Sequence, residues 1–362
     1  MEKKKKSKVA LYVFCGLITI IFLFAILSVN DIGSIFAELK NANFKYILLA
    51  VATILVYVAL YPLSLCILTK ARGCDIKMIK TYSIAMTEHF FNGITPQATG
   101  GQPFQVYEFA KAKVRPTEST CILLMNFLVY MIANNAFALC ALFYFKRFIT
   151  GTGMAVIAII GFTMNFLVLV ITILIATSPK VSALLCRIVD FLCRFKWIAR
   201  FLEPRKETIK EYFVNVQLAF AELKRKKKAF SVALFTKILS MGAYFFTTFF
   251  ILLALRVPVG ASDIFFVICG TSFAVTMVVF LPTPGASGGI EFAFKTVFAS
   301  IAAGAASSVA YGGMLVWRLL SYYFVMLISL VFTIILEITS LKNKKREAIA
   351  EEELSENQNA DA

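Results

Sequence analysis

Apolar runs of roughly twenty residues recur along the chain, separated by short clusters of lysine and arginine. A run of that length crosses the hydrocarbon core of a bilayer as a helix. The pattern predicts full spans at Val9–Val29, Tyr46–Leu68, Thr120–Phe145, Met154–Ala176, Ala229–Leu255 and Ser307–Thr339. Two further apolar segments are interrupted. In one, Thr81–Ile94 is too short to cross, Thr95–Pro103 breaks it and Phe104–Ala112 continues it. In the other, the run from Ile264 to Ala303 is broken at Thr283–Gly289.

The two breaks carry nearly the same residues, T-P-Q-A-T-G-G at Thr95–Gly101 and T-P-G-A-S-G-G at Thr283–Gly289. Proline removes a backbone N–H and glycine unwinds cheaply, so each break frees backbone polar groups. In a bilayer such groups must face protein or a water-filled cavity. Paired breaks at corresponding points of two halves point to a transporter site near the midplane. Both ends of the first broken segment are basic, which makes it a hairpin entering and leaving on one side. Alternation of the spans brings the second in from the opposite side. The expected fold is therefore an all-α polytopic integral membrane protein, with six full spans and two re-entrant broken-helix hairpins in an inverted repeat. Residues 1–341 form the membrane domain, with halves at 1–145 and 154–341. An amphipathic basic stretch occupies 178–228, and residues 342–362 read as a disordered acidic tail.

Composition agrees: of 362 residues, 59% are hydrophobic and 16% charged, which excludes an ordinary soluble domain. The net charge of +16 gathers in loops expected to be cytoplasmic, with both termini, and suits a surface facing anionic lipid. Lys146, Arg147 and Arg256 are minor exceptions. In the basic stretch, Val181, Leu184, Leu185, Ile188, Val189 and Leu192 fall at helical spacing, with Trp197 near the end, the pattern of an interfacial helix. No nucleic-acid motif accompanies the charge. The basic start before Val9 resembles a signal peptide, but the apolar run is too long, so a retained helix is expected. The eight cysteines form no C-x-x-C pair and read as small buried hydrophobes. A metal site and a cofactor are not expected.

The candidate chemistry sits at the breaks. Glu88 and Asn92 share a helical face just before the first, next to His89, the single histidine. Ionisable groups at membrane depth default to a functional role; alternatively His89 bonds a freed carbonyl, and Glu88 lies near the interface. Gly100, Gly101, Gly288 and Gly289 open the second half-helices, whose N-terminal amides would form an anion site. Glu291 lies in the first turn after the second break, as a ligand or as a cap. Arg318, deep in the last span, pairs with Glu291 or binds a lipid phosphate. Lys237 is expected to snorkel. Asn126, Asn134 and Asn135 are expected to bond between helices. No Walker A, G-x-S-x-G or H-E-x-x-H motif is present, so no catalytic residues are assigned.

Three ordered runs, Thr95–Tyr107 (T-P-Q-A-T-G-G-Q-P-F-Q-V-Y), Pro282–Glu291 (P-T-P-G-A-S-G-G-I-E) and Trp317–Tyr323 (W-R-L-L-S-Y-Y), resemble the lysylphosphatidylglycerol synthase transmembrane-region family. That region is the membrane half of the bacterial multiple peptide resistance factor, and the resemblance covers about Lys8 to Leu341. It implies a flippase-like protein of the bacterial cytoplasmic membrane that moves aminoacylated phosphatidylglycerol or a related anionic lipid, with a role in cationic-peptide resistance. The family name implies a phosphatidylglycerol lysyltransferase instead, and other stand-alone members resemble polyprenyl-phosphate carriers. The soluble acyltransferase-like domain of larger members is not part of the resemblance. The family often has an acidic residue where this chain has Gln102, which implies a different charge in the site. The substrate partner is then a membrane phospholipid. A lipid-modifying synthase is a candidate partner, oligomerisation is left open, and nucleic acid enters only under the transferase alternative.

Overall fold

A computed structural model describes residues 40, 42–149, 151–195, 199–200, 203–286, 288–301 and 307–360. The expected span Val9–Val29, Trp197 and Ser287 lie outside the described residues. Every regular element among them is helical. Among the described residues, six helical stretches are long and apolar enough to cross a membrane: Phe44–Ala71, Pro116–Leu142, Thr152–Thr177, Lys227–Ala254, Ala261–Val278 and Val309–Lys342. Five match expected full spans. The other, Ala261–Val278, is one arm of the second broken segment, so that arm alone reaches spanning length.

The first stretch is two helices, α1 (Phe44–Leu60) and α2 (Leu63–Ala71), separated at Tyr61-Pro62. Pro62 has no N–H to give to the Val58 carbonyl. The Tyr82 hydroxyl donates to that carbonyl instead, at 2.9 Å. Next come α3 (Met78–Ile94) and α4 (Gly101–Lys111), the arms of the first hairpin, and then α5 (Pro116–Leu142). The helical turn Phe145–Phe148 leads to α6 (Thr152–Thr177). Helix α7 (Pro179–Leu192) starts with the Ser178 hydroxyl capping the Val181 amide and Pro179 in the first turn, and it leaves Leu184, Ile188 and Phe191 exposed. Helix α8 (Lys206–Arg225) runs into α9 (Lys227–Ala254). The second hairpin is α10 (Ile264–Val278) and α11 (Gly289–Ile301). The last span is α12 (Ser307–Arg318), a π-helical turn at Leu319–Phe324, and α13 (Val325–Ala360). Helix α13 continues through the tail that the sequence marks as disordered. The Ala-, Glu- and Lys-rich composition there favours helix.

The contact pattern maps onto itself when the halves are exchanged. Helix α1 packs on α9, α3 packs on α13, α10 packs on α5, and the two break turns touch each other. The bonds between α1 and α9 give their sense. The Asn43 amide meets the Ala254 carbonyl at 2.8 Å, Thr53 meets Thr247 at 2.9 Å, and Lys237 meets the Tyr61 carbonyl at 3.3 Å. The two helices are antiparallel. A two-fold that exchanges adjacent antiparallel helices lies perpendicular to them, hence in the membrane plane, and that is an inverted repeat.

The hairpins enter from opposite faces. At the first, Tyr82 lies against Phe332 with ring centroids 5.7 Å apart, and Lys111 pairs with Glu337. Both ends of that hairpin thus sit at the distal end of the last span, and the second arm leads directly into the start of α5. At the second, Phe266 stacks on Phe148 at 5.0 Å, just past the other end of α5, and Gly270 packs against Ile301 and Phe148.

Lipid tails are as apolar as leucine, so close approach and polar bonds hold such helices together. At Gly161 a Cβ would fall 2.2 Å from the Met277 carbonyl oxygen, so α6 approaches α10 only because that residue is glycine. Asn165 bridges Asn134 at 3.1 Å and Asn135 at 2.8 Å, and Ser64 donates to Asn126 at 2.7 Å. These are the interhelical roles expected of the asparagines. Each such bond is worth only roughly 0.6 kcal/mol.

Candidate functional site

The two breaks share a backbone conformation as well as a sequence. Gln97 (φ 52°, ψ 26°) and Gly285 (φ 59°, ψ 24°) occupy the same motif position in the left-handed region, and the next residues, Ala98 (φ 53°) and Ala286 (φ 52°), do so too. The Ala98 amide bonds to the Thr95 carbonyl at 3.3 Å, and the Ala286 amide to the Thr283 carbonyl at 3.0 Å.

Most of the amides expected to await an anion are already engaged. The Gly100 amide donates to Thr95 Oγ1 at 2.9 Å, the Gly101 amide to Asn92 Oδ1 at 2.9 Å and the Gly288 amide to Glu291 Oε2 at 2.6 Å. In this arrangement the side chains before and after the breaks cap the half-helices. Thr95 inside the first break, Asn92 just before it and Glu291 just after the second are thus the partners of these three amides.

A cavity of about 490 Å³ opens beside the first break. Glu88, His89 and Asn92 from α3 line it, with Gln97 from the break and Gln102 and Gln105 from α4. Asn126, Tyr130 and Asn134 of α5 and Asn165 of α6 complete a polar wall opposite, and Val279 and Phe280 close it from the second hairpin. Glu88 accepts the Tyr61 hydroxyl at 3.0 Å and lies 3.5 Å from the amide nitrogens of both Asn92 and Gln105. The shared face predicted for Glu88 and Asn92 is therefore present, and Glu88 is half-buried inside the bundle. His89 Nε2 is 3.4 Å from the Tyr57 hydroxyl, and its ring packs on Tyr61 at 4.3 Å. Its partner is thus a tyrosine, where the simpler expectation had a freed loop carbonyl.

Two supports of this cavity were not legible in sequence. The Ser329 hydroxyl of α13 donates to the Met86 carbonyl and accepts the Phe90 amide at 2.8 Å. A side chain inserted into the ladder loosens the helix at that turn, and here the turn carries Glu88 and His89. The other support is Lys237, which does not snorkel. It is fully buried, with Nζ 3.7 Å above the Tyr61 ring and 3.3 Å from the Tyr61 carbonyl. The Tyr61-Pro62 kink gives a cation a place to go, because it turns a carbonyl out of its helix. Seen from the sequence alone, Lys237 is only a lysine two turns inside a span.

The remaining sequence candidates form a second cluster. Arg318 is 5% exposed. Its Nε lies 3.3 Å from Glu291 Oε1, an Nη donates to the Gly285 carbonyl at 2.8 Å, and the guanidinium lies 4.1 Å over the Tyr322 ring. Arg318, Glu291, Gly288 and Gly289 do not line the central cavity, so Glu291 does not join Glu88 and His89 in one site. Tyr322, in the π-helical turn, connects the two regions. Its hydroxyl donates to the Gly93 carbonyl of α3 at 2.7 Å, while its ring faces Gly285, where a Cβ would be 2.5 Å away. Single π turns inside α-helices often mark functional positions.

Among the described residues no group of three or more metal-ligating side chains occurs. The family model described as "Lysylphosphatidylglycerol synthase TM region" matches residues 9–329 of the chain. No curated protein matches.

Proposed function

The chain belongs to the lysylphosphatidylglycerol synthase TM region family, and from that premise we propose that it translocates a phospholipid headgroup across the bilayer in the manner of a flippase. The favoured substrate is an aminoacylated phosphatidylglycerol, in a bacterial cytoplasmic membrane with the basic face and both termini inside. The observation that carries the proposal is the cavity at the first break. A space lined by Glu88, His89, Asn92, Gln97, Gln102 and Gln105 within a membrane-spanning bundle is costly unless something polar passes through it. Glu88 supplies the negative charge that a lysyl ammonium would meet, and the amide side chains suit glycerol hydroxyls and ester oxygens. Two hairpins that cross at their breaks from opposite faces provide the inverted pair that alternating access uses.

The test is reconstitution into liposomes with a fluorescent lysyl-phosphatidylglycerol and an impermeant quencher. The protein should exchange labelled lipid between leaflets faster than empty vesicles do. Glu88→Gln should slow that exchange at least tenfold while leaving melting unchanged, since an amide oxygen still accepts the Tyr61 hydroxyl. Equal rates with and without protein would remove the proposal. The family's name favours a second activity, lysyl transfer from tRNA to phosphatidylglycerol. Formation of aminoacylated lipid by purified protein given charged tRNA and phosphatidylglycerol would replace the transporter reading. Faster exchange of a labelled polyprenyl phosphate than of the lysyl lipid would shift the substrate class.

A further inference from the structure

A second cavity, of about 770 Å³, lies at the basic face where α2 ends and α8 gives way to α9. Lys70, Arg225, Lys226, Lys227 and Lys228 line it, together with the apolar Ile67 and Val232. Two acids near this face are already paired, one of them with a residue that lines the cavity. Glu118 pairs with Arg72 at 2.6 Å, and Glu222 is shared between Arg72 at 3.1 Å and Arg225 at 2.9 Å. Lys70, Lys226, Lys227 and Lys228 enter no ion pair among the described residues.

Two of these lysines sit in a poor place for the fold. Lys227 and Lys228 fall in the first turn of α9, where the helix dipole favours negative charge, and that turn holds no acidic residue. An anion in the cavity would offset both the dipole and the mutual repulsion of the lysines. The apolar part of the site tells which kind of anion. From Lys228 the same face of α9 continues into the span through Val232, Phe235 and Leu239, which are 44%, 66% and 49% exposed. Cations above an open apolar stripe match the layout of a phospholipid, headgroup above acyl chain.

We propose that this cavity is a binding site for the phosphodiester headgroup of an anionic phospholipid from the leaflet on the basic face. The lysines hold the phosphate, and Val232, Phe235 and Leu239 carry an acyl chain. Its electrostatics are opposite to those of the cavity at Glu88, so it selects the unmodified anionic lipid over a lipid that has gained a lysyl ammonium. The site does not depend on the translocation proposal, because it is read by binding alone.

The experiment is native mass spectrometry of the full chain in detergent, titrated with dioctanoyl phosphatidylglycerol, dioctanoyl phosphatidylcholine or glycerol phosphate. Phosphatidylglycerol should be retained in preference to the other two. One lysine near an anionic lipid surface is worth roughly fivefold in affinity, so Lys70→Gln with Lys228→Gln should weaken phosphatidylglycerol retention by about tenfold or more. Lys226→Gln with Lys227→Gln should act alike. Lys180→Gln with Arg187→Gln, outside the cavity, should change retention less than twofold. Equal retention of phosphatidylcholine, or an equal loss in that control pair, would overturn the site. Glycerol phosphate binding as tightly as the lipid would overturn the acyl-chain assignment. Displacement of the lipid by tRNA at matched phosphate concentration would reassign the surface to nucleic acid.

Discussion

Gln97 and Gly285 adopt the same left-handed backbone at the same position of two motif copies, yet one has a side chain and the other does not. Space explains the difference. A Cβ on Gly285 would fall 2.5 Å from the Tyr322 ring, whereas Gln97 is exposed toward the cavity. Left-handed backbone costs a residue with a side chain about 1–2 kcal/mol. Gln97→Gly should therefore be neutral or slightly stabilising in a detergent melt. Gly285→Gln adds a steric clash to the conformational cost and should lower the melting temperature clearly. Equal destabilisation by both substitutions would mean that Tyr322 does not pack against Gly285.

The glycines that follow separate in another way. Gly101 is helical, and a Cβ there would lie 2.6 Å from Asn92 Oδ1 and 2.8 Å from Glu88 Cγ. Gly288 has open space around it but sits at φ +88°. Gly101→Ala should break the Asn92 cap, at about 1 kcal/mol, push the hairpin arms apart and slow lipid exchange. Gly101→Asn should be worse. Gly288→Ala should cost about 1 kcal/mol or more in strain, and Gly288→Asn should recover part of it, because asparagine tolerates left-handed backbone. Melting curves of the four variants check the ordering.

Periodicity and run length sufficed for the helical class, the breaks and the positions of most spans, because an apolar run of fixed length leaves a chain in lipid few alternatives. Glu88, His89 and Asn92 stood out because polar groups at membrane depth are rare. Their neighbours did not. Tyr57, Tyr61 and Gln105 reach the cavity through tertiary packing, and neither the Ser329 insertion into α3 nor the burial of Lys237 has a local signature. The sequence places Glu88 and Asn92 before the first break, Glu291 after the second and Arg318 in the last span, without saying which of them share a site. The two copies in fact present their flanking polar residues to different places, Asn92 and Glu88 to the cavity and Glu291 to Arg318.

Topology can be checked without any lipid assay. With the basic face inside, single cysteines introduced near Lys113 and near Lys226, in a cysteine-free background, should be shielded from an impermeant thiol reagent applied to intact cells. One near Ser262 should label. Both ends of the first hairpin sit at the Glu337 end of the last span, and the second hairpin starts beside Phe148 at the opposite end of α5. Labelling near Lys113 from outside would turn the first hairpin into a full crossing and remove the inverted relationship.

Arg318 offers the sharpest test of structural against lipid-binding roles. Its guanidinium is held by Glu291, the Gly285 carbonyl and the Tyr322 ring, so it joins the second break to the last span. Arg318→Ala strands a carboxylate and a break carbonyl together. Removing one partner of a buried pair costs ~3–5 kcal/mol; because the Glu291 side chain is 24% exposed, the lower part of that range is expected. Glu291 also caps Gly288 at 2.6 Å, so Arg318→Met with Glu291→Gln should recover most of the lost stability: glutamine keeps the cap without an unpaired charge. Arg318→Lys keeps the charge but loses the planar fork and cannot reach Glu291 and Gly285 as one unit, so intermediate stability is expected. Lipid exchange then decides the role. If Arg318 serves the fold alone, the Met/Gln pair melts near the parent temperature and exchanges lipid near the parent rate. If it also holds phosphate, the pair melts normally and exchanges lipid at least tenfold more slowly. The ligands already present around Arg318 favour the first outcome.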